Sequence, residues 1–167
     1  ISSRDQLTTT SQRFSNAGSV YAGGNAAITN QGNLTNTAMM AAGNHVTIDT
    51  GSLNQSAEGQ LIAGLTPAGS LTTTPANLTV TSRDGQTNAG LNLATGDFTV
   101  TGHALDYTGS QNQAQNIALT AKTGDINLSG AQSQAAGQIA VTTPARFIHD
   151  SLDAEHKAVM QADHYAI

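Results

Sequence analysis

Titratable side chains gather near the end of this sequence and are scattered elsewhere. The terminal group holds three histidines and four acids: His149, Asp150, Asp153, Glu155, His156, Asp163 and His164. Histidine and carboxylate groups can ligate a metal ion, but a metal site needs ligands at defined spacings, and no His-Glu-x-x-His or similar motif is present. The sequence therefore favours solvated turns here over a metal centre, and we expect no cofactor.

Four further aspartates raise the alternative of a carbohydrate-processing enzyme, a polysaccharide lyase or hydrolase, because such enzymes use carboxylates on one face. They are Asp49, Asp97, Asp106 and Asp125. Asp97 and Asp125 each follow a glycine, which is typical of turns, and Lys122 is the only basic residue near Asp125. The chain has no tryptophan to stack on sugars, and it lacks the Gly-x-Ser-x-Gly motif of nucleophilic serine enzymes. We therefore predict that the chain is not an enzyme.

The composition indicates a thin core with a neutral surface. Hydrophobic residues make up 38% of the 167 residues and charged residues only 10%, while Thr, Ser, Asn, Gln, Ala and Gly are abundant. The net charge of -5 argues against nucleic acid or an anionic membrane as a partner. Without cysteines, stability must come from repeated packing. No apolar run reaches the ~18 residues of a membrane-spanning segment.

A short sequence motif recurs along the chain. It consists of a small residue, a polar residue that we call the anchor, and then alternating apolar and polar positions, as in Gly96-Asp97-Phe98-Thr99-Val100-Thr101. The anchors are Asn25, Asn44, Asn77, Asp97, Asn116, Gln138 and Lys157, and residues 5–8 resemble a degenerate first copy. Successive anchors are 19, 33, 20, 19, 22 and 19 residues apart. Such a period indicates a repeat architecture.

The apolar residues within these motifs alternate with period two, which predicts strands. Further apolar clusters between the anchors give each unit two or three short strands, too few to bury an apolar face without stacking on neighbouring units. We therefore predict an all-β chain forming a parallel β-helix, with inward Ile, Leu, Val and Phe and outward Thr, Asn, Gln and Ser. The expected coils are 5–24, 25–43, 44–76, 77–96, 97–115, 116–137, 138–156 and a partial coil at 157–167, all in a single domain, 1–167.

The sequence contains the repeated segments Ala22-Gly23-Gly24-Asn25 and Ala41-Ala42-Gly43-Asn44, and the segments Val46-Thr47-Ile48 and Gly51-Ser52-Leu53-Asn54 that follow. These segments resemble filamentous-haemagglutinin repeats. Those repeats build the exoproteins of bacterial two-partner secretion, including adhesins, haemolysins and CdiA-type effectors of contact-dependent inhibition. The resemblance implies a right-handed β-helix rod, export through a TpsB-type outer-membrane transporter, and display on the surface of a Gram-negative bacterium. It also implies a receptor on a target cell. Both chain ends resemble cuts within a longer protein.

The 33-residue gap predicts a loop over 61–75, which contains two of the three prolines. Insertions in solenoids often make the contacts with partners, although a surface insertion without a role is an equally good interpretation. The predicted receptor contacts are Leu65, Thr66, Pro67, Ser70, Thr73 and Pro75 of this loop, with His149, Asp153 and His156 from the terminal group.

Overall fold

The computed structural model describes all 167 residues as a β-solenoid of 23 strands without helices. The chain climbs through about seven turns of about 20 residues, and every pair of neighbouring strands is parallel. Three strands per turn form three sheets, so that each strand lies against its equivalents in the turns above and below. The predicted all-β solenoid is confirmed.

The three sheets, named A, B and C, follow one another in this order along each turn. Sheet A contains β1 (Ser2–Ser3), β4 (Val20–Ala22), β7 (Met39–Ala42), β10 (Gln60–Ala63), β13 (Leu91–Ala94), β16 (Gln111–Ala114), β19 (Gln132–Ala135) and β22 (Val159–Gln161). Sheet B contains β2 (Leu7–Ser11), β5 (Ala26–Asn30), β8 (Val46–Thr50), β11 (Leu78–Ser82), β14 (Phe98–Gly102), β17 (Ile117–Ala121), β20 (Gln138–Thr142) and β23 (His164–Ala166). Sheet C contains β3 (Phe14–Asn16), β6 (Asn33–Asn36), β9 (Ser52–Gln55), β12 (Gln86–Asn88), β15 (Leu105–Asp106), β18 (Ile126–Asn127) and β21 (Phe147–Ile148).

The recurring sequence motif corresponds to the strands of sheet B. Leu78 lies opposite Val46 on one side and Phe98 on the other, and Leu7 lies opposite Ala26, which confirms the degenerate first copy. Two anchors were assigned wrongly. The position equivalent to Asn77 is occupied by His45 in place of Asn44, and the last copy is centred on His164 because the strand after Lys157 belongs to sheet A.

The core is a column of small aliphatic side chains with two aromatic rings. Phe98 and Tyr107 are fully buried, with ring centroids 6.4 Å apart, and burial raises the pKa of Tyr107 well above its usual range. The predicted inward pairs are all buried: Leu78 with Val80, Phe98 with Val100, Ile117 with Leu119, Ile126 with Leu128, and Ile139 with Val141. The period-two interpretation is therefore confirmed inside the strands.

The sequence predicted that the Asn and Gln side chains face outward, but several of them are buried. A continuous chain of buried side chains runs inside the solenoid at the corner where sheet C passes into sheet A: Asn16, Asn36, Gln55, Asn92, Asn112 and Ser133. Each of the first three amides also donates to a backbone carbonyl oxygen at this corner. Asn16 donates to the carbonyl oxygen of Met39 at 3.0 Å, and the next two amides serve equivalent carbonyls one and two turns further on.

The expected loop over 61–75 begins three residues later in the structure. Leu61, Ile62 and Ala63 lie within β10, paired on both sides, and all three are buried. Their apolar side chains keep them in sheet A, so the protruding segment starts at Gly64.

None of the elements is a helix, long and apolar or otherwise, that could cross a membrane.

Candidate binding surface

The segment between β10 and β11 begins as a small β-hairpin, residues 64–71. Gly64 adopts a φ of 91°, in the left-handed region that favours glycine, and this turns the chain out of sheet A. Leu65 and Leu71 then face each other in an antiparallel bridge. The Thr66 N–H donates to the carbonyl oxygen of Ser70 at 2.8 Å, and the two hydroxyl groups lie 2.9 Å apart. The insertion is thus a structured hairpin and not an irregular loop.

The base of the hairpin covers the outer face of sheet A in the second to fourth turns. Tyr21, Ala41 and Ile62 lie in one outward row, because the register pairs them across successive turns. The Tyr21 hydroxyl donates to the carbonyl oxygen of Leu65 at 3.0 Å. Ala41 is only 1% exposed and Ile62 only 7%, although both face away from the core. The hairpin therefore shields an apolar strip that would otherwise contact water.

A return segment, residues 72–77, is tied to the turns on either side of it. The Thr95 hydroxyl donates to the carbonyl oxygen of Thr74 and accepts from the Ala76 N–H, both at 3.0 Å. The Asn77 N–H donates to Nδ1 of His45 at 2.9 Å. The hairpin is therefore anchored at both ends, and His45 has a positional role that its isolated place in the sequence did not indicate.

The six predicted contact residues of this segment differ in their exposure. Leu65 and Thr66 are half-buried in the stem of the hairpin, whereas Pro67, Ser70, Thr73 and Pro75 are exposed. Their contact with a receptor stays a prediction.

Most of the terminal group lies elsewhere: residues 149–156 follow β21 of sheet C and precede β22 of sheet A, whereas Asp163 and His164 come after β22, where sheet A passes into sheet B. The Asp153 carboxylate accepts from Nδ1 of His156 at 2.8 Å, and this hydrogen bond, with two from backbone N–H groups, lowers the pKa of Asp153. The ring of His149 stacks on Phe147 with centroids 6.0 Å apart, and its Nε2 is buried without a partner. The hairpin sits on the corner from sheet A to sheet B several turns away, so the structure does not bring the two predicted regions together.

Asp106 and Asp125 line one open groove over sheet C, but Asp49 and Asp97 lie outside it, so the four candidate carboxylates do not form one site. Each is bonded to its own local neighbour: Asp49 to Arg83, Asp97 to Asn116, Asp106 to Thr108, and Asp125 to Arg146. No three His, Cys, Asp or Glu side chains approach each other as the ligands of a metal ion would. The arrangement is that of dispersed surface pairs.

One concave surface was not predicted from the sequence. An open groove of about 750 Å³ lies over sheet A on the carboxyl-terminal side of the hairpin. Its floor is an outward row that the register places in line: Leu93, Gln113, Gln134 and Gln161. Leu71, Thr72 and Thr73 form its wall. A signal was available, because Gln-Asn-Gln-Ala at 111–114 recurs as Gln-Ser-Gln-Ala at 132–135.

The fold and surface define a parallel β-solenoid with a polar groove, and comparison with known proteins finds one curated relative. The chain is 42% identical over 81 residues to Toxin CdiA from Yersinia pestis. The matched region is 48% of this chain but only 2% of that protein, so the chain spans a very small part of the relative's length. No protein-family model matches the sequence. No solved structure matches it either.

Proposed function

We propose that this chain is a section of the rod of a secreted, CdiA-like surface exoprotein, and that it serves as a structural and adhesive element. The observation that carries the proposal is the uninterrupted stack of three parallel sheets around one core, combined with the similarity to Toxin CdiA. A solenoid of this kind adds length with each turn, at about 4.8 Å per strand spacing. An exoprotein that projects away from a cell needs an element that adds length in this way.

The proposal extends to export and location. Filamentous-haemagglutinin-like repeats and the CdiA similarity support a TpsB-type transporter as export partner and the surface of a Gram-negative bacterium as the site of action. The absence of cysteine fits a chain whose exported form relies on stacked turns and buried amides for stability. The target would be a receptor on another cell, contacted through the exposed hairpin.

A carbohydrate-processing function is not favoured by any feature of the surface. Asp106 and Asp125 do line one open groove over sheet C, but each is bonded to its own neighbour, Thr108 or Arg146, and Asp49 and Asp97 lie outside it. The Asp125 carboxyl, for which the Arg146 hydrogen bond lowers the pKa, is suited to remain ionised and not to act as a general acid.

Surface labelling of intact cells tests the proposal. Antibodies raised against the 167-residue chain should label living cells of the bacterium that encodes it, and external protease should abolish the signal. Deletion of the outer-membrane transporter should leave the protein inside the cell and unlabelled. Labelling that requires permeabilised cells in the undeleted strain would overturn the proposed location and with it the proposed function.

A further inference from the structure

The outer face of sheet A changes its chemistry at the hairpin. On the carboxyl-terminal side, two parallel outward rows carry five glutamines: Gln111, Gln113, Gln132, Gln134 and Gln161. The first four lie on adjacent turns in pairs, so their amides form a grid with a spacing of about 4.8 Å along the rod. We call this surface the glutamine groove. The hairpin walls the row of Gln113, Gln134 and Gln161 at its amino-terminal end, and Gln111 and Gln132 line an adjoining depression.

These amides retain capacity to bind another molecule. Gln111 and Gln113 make no side-chain hydrogen bond within the protein, and Gln134 makes only a long one of 3.4 Å to Gln161. Gln132 is the exception, because its Nε2 donates to the carbonyl oxygen of Lys157 at 2.7 Å. Each amide presents two donors and an acceptor with two lone pairs. This contrasts with the buried amides of the same turns, such as Asn92 and Asn112, which are bonded to each other at 2.8 Å.

The charge of the groove excludes several kinds of occupant. No lysine or arginine lines it, and its single acid, Asp163, lies at one end. Nucleic acid and sulfated or uronic polysaccharides need clustered basic residues, which are missing here. A peptide strand could not extend the sheet through this surface, because it is a sheet face whose backbone groups are already paired.

The shape of the groove excludes a second copy of the rod. Two flat amide faces can pack as a dry zipper only when nothing stands between them. Here the exposed hairpin, with Pro67, Ser70 and Leu71 at the surface, rises beside the grid and would hold a flat partner away from it. A narrow, flexible ligand lying along the rod avoids that obstruction.

We propose that the glutamine groove binds a neutral, linear glycan whose sugars follow the successive turns. Amides that donate and accept match the vicinal hydroxyl groups of uncharged sugars, and the exposed methyl group of Ala136 and the half-buried side chain of Leu93 beside them offer contacts for the C–H faces of the rings. One sugar residue in an extended chain is comparable in length with one turn of the solenoid. This inference rests on the proposed adhesive function and specifies the chemistry of the receptor.

The test is a binding titration of the purified 167-residue chain with neutral hexasaccharides, β-1,4-linked glucose and α-1,4-linked glucose among them, against a heparin oligosaccharide. We expect saturable binding of at least one neutral probe and none of heparin. The double variant Gln113→Ala/Gln134→Ala should weaken that binding at least tenfold, and the single variant Gln113→Glu, which keeps the size of the side chain, should weaken it severalfold.

A matched control uses two exposed glutamines away from sheet A. Gln12→Ala/Gln31→Ala should bind as the unchanged chain does, and circular dichroism should show that all variants retain the fold. The proposal is overturned if no neutral probe binds, if heparin binds in preference, if the double variant binds unchanged, or if the chain self-associates through this face in analytical ultracentrifugation. None of these results bears on surface labelling of intact cells, so failure of this inference is distinguishable from failure of the proposed function.

Discussion

The turns before the hairpin and the turns after it fill equivalent inner positions with side chains of opposite polarity. Before it, the inner row of sheet A is apolar: Val20, Met40 and Leu61. After it, the same row is polar: Asn92, Asn112 and Ser133. The adjoining end of sheet C changes the other way, one turn later, from Asn16, Asn36, Gln55 and Asn88 to Tyr107 and Leu128.

This comparison shows that one row of buried amides runs through the solenoid. Near the hairpin the row passes from the end of sheet C to the inner face of sheet A. Gln55 spans the change, since its Nε2 lies 3.4 Å from Oδ1 of Asn92, and Asn88 joins the same oxygen at 2.8 Å. Where the row leaves sheet C, the bulk of Tyr107 fills the space, with its hydroxyl satisfied by Gln86 at 2.8 Å. The longer side chain of glutamine accounts for its presence at the crossing point.

The largest effect is expected from breaking the amide row at its crossing. Asn92 is fully buried, accepts from Asn88 and donates to Asn112. Asn92→Ala leaves these two partners without their bonds inside the solenoid, and each unsatisfied group costs about 1–3 kcal/mol. We expect the free energy of unfolding, measured in urea, to fall by about 3 kcal/mol.

The control is Asn54→Ala, which removes an exposed amide of the same type from sheet C. It should change stability by less than about 0.5 kcal/mol. A loss below about 1 kcal/mol for Asn92→Ala would mean that the buried amides can rearrange, and the two halves would then differ less than their side chains suggest.

The next effect concerns the residue at which the two halves meet. Gly64 has a positive φ, and an added Cβ would lie 2.9 Å from Cγ2 of Thr72 and against the Thr95 hydroxyl. Gly64→Ala should therefore lower the melting temperature by an amount corresponding to about 2 kcal/mol. Gly18→Ala is the matched control, because its φ is not positive and its Cβ would meet nothing within 4 Å. Equal effects of the two substitutions would contradict the strain argument.

A smaller effect is expected where the hairpin covers the second to fourth turns. Tyr21→Phe removes the hydrogen bond to the Leu65 carbonyl but keeps the ring. Such a part-exposed bond contributes about 0.5–1.5 kcal/mol, so amide exchange in residues 64–72 should accelerate severalfold. Exchange in β17, several turns away, should not change. Unaltered exchange in the hairpin would show that the apolar strip and not this bond holds it in place.

The sequence predicted the solenoid because its inward residues alternate, and Phe98 with Val100 could be placed inside from spacing alone. It could not place Asn36 or Asn92, because an amide that faces a backbone carbonyl at a corner has the same composition as one that faces water. It also mistook Asn44 for the anchor in place of His45, since a one-residue shift is invisible until the strands are paired. The groove was missed because its wall comes from the insertion and its floor from later turns.

The smallest effect lies on the outside of the carboxyl-terminal turns, where polar groups contact water. The Arg146 guanidinium donates to the Asp125 carboxylate at 2.7 Å, and this hydrogen bond lowers the pKa of Asp125. Because the folded pKa lies below the unfolded value, the pair stabilises the fold at pH above the ordinary carboxyl range. That stabilisation is lost as the pH falls through the lowered pKa of the folded state.

Arg146→Gln should return the pKa of Asp125 towards the ordinary value of about 3.9, as followed by carboxyl NMR titration. Asp153 is an internal control, since His156 and not Arg146 lowers its pKa. At neutral pH the variant should unfold almost as the unchanged chain does, because exposed ion pairs contribute little. A large loss of stability at neutral pH would show that surface pairs support the carboxyl-terminal turns as much as the buried amides do. The contrast between Asn92 inside and Asp125 outside would then fail.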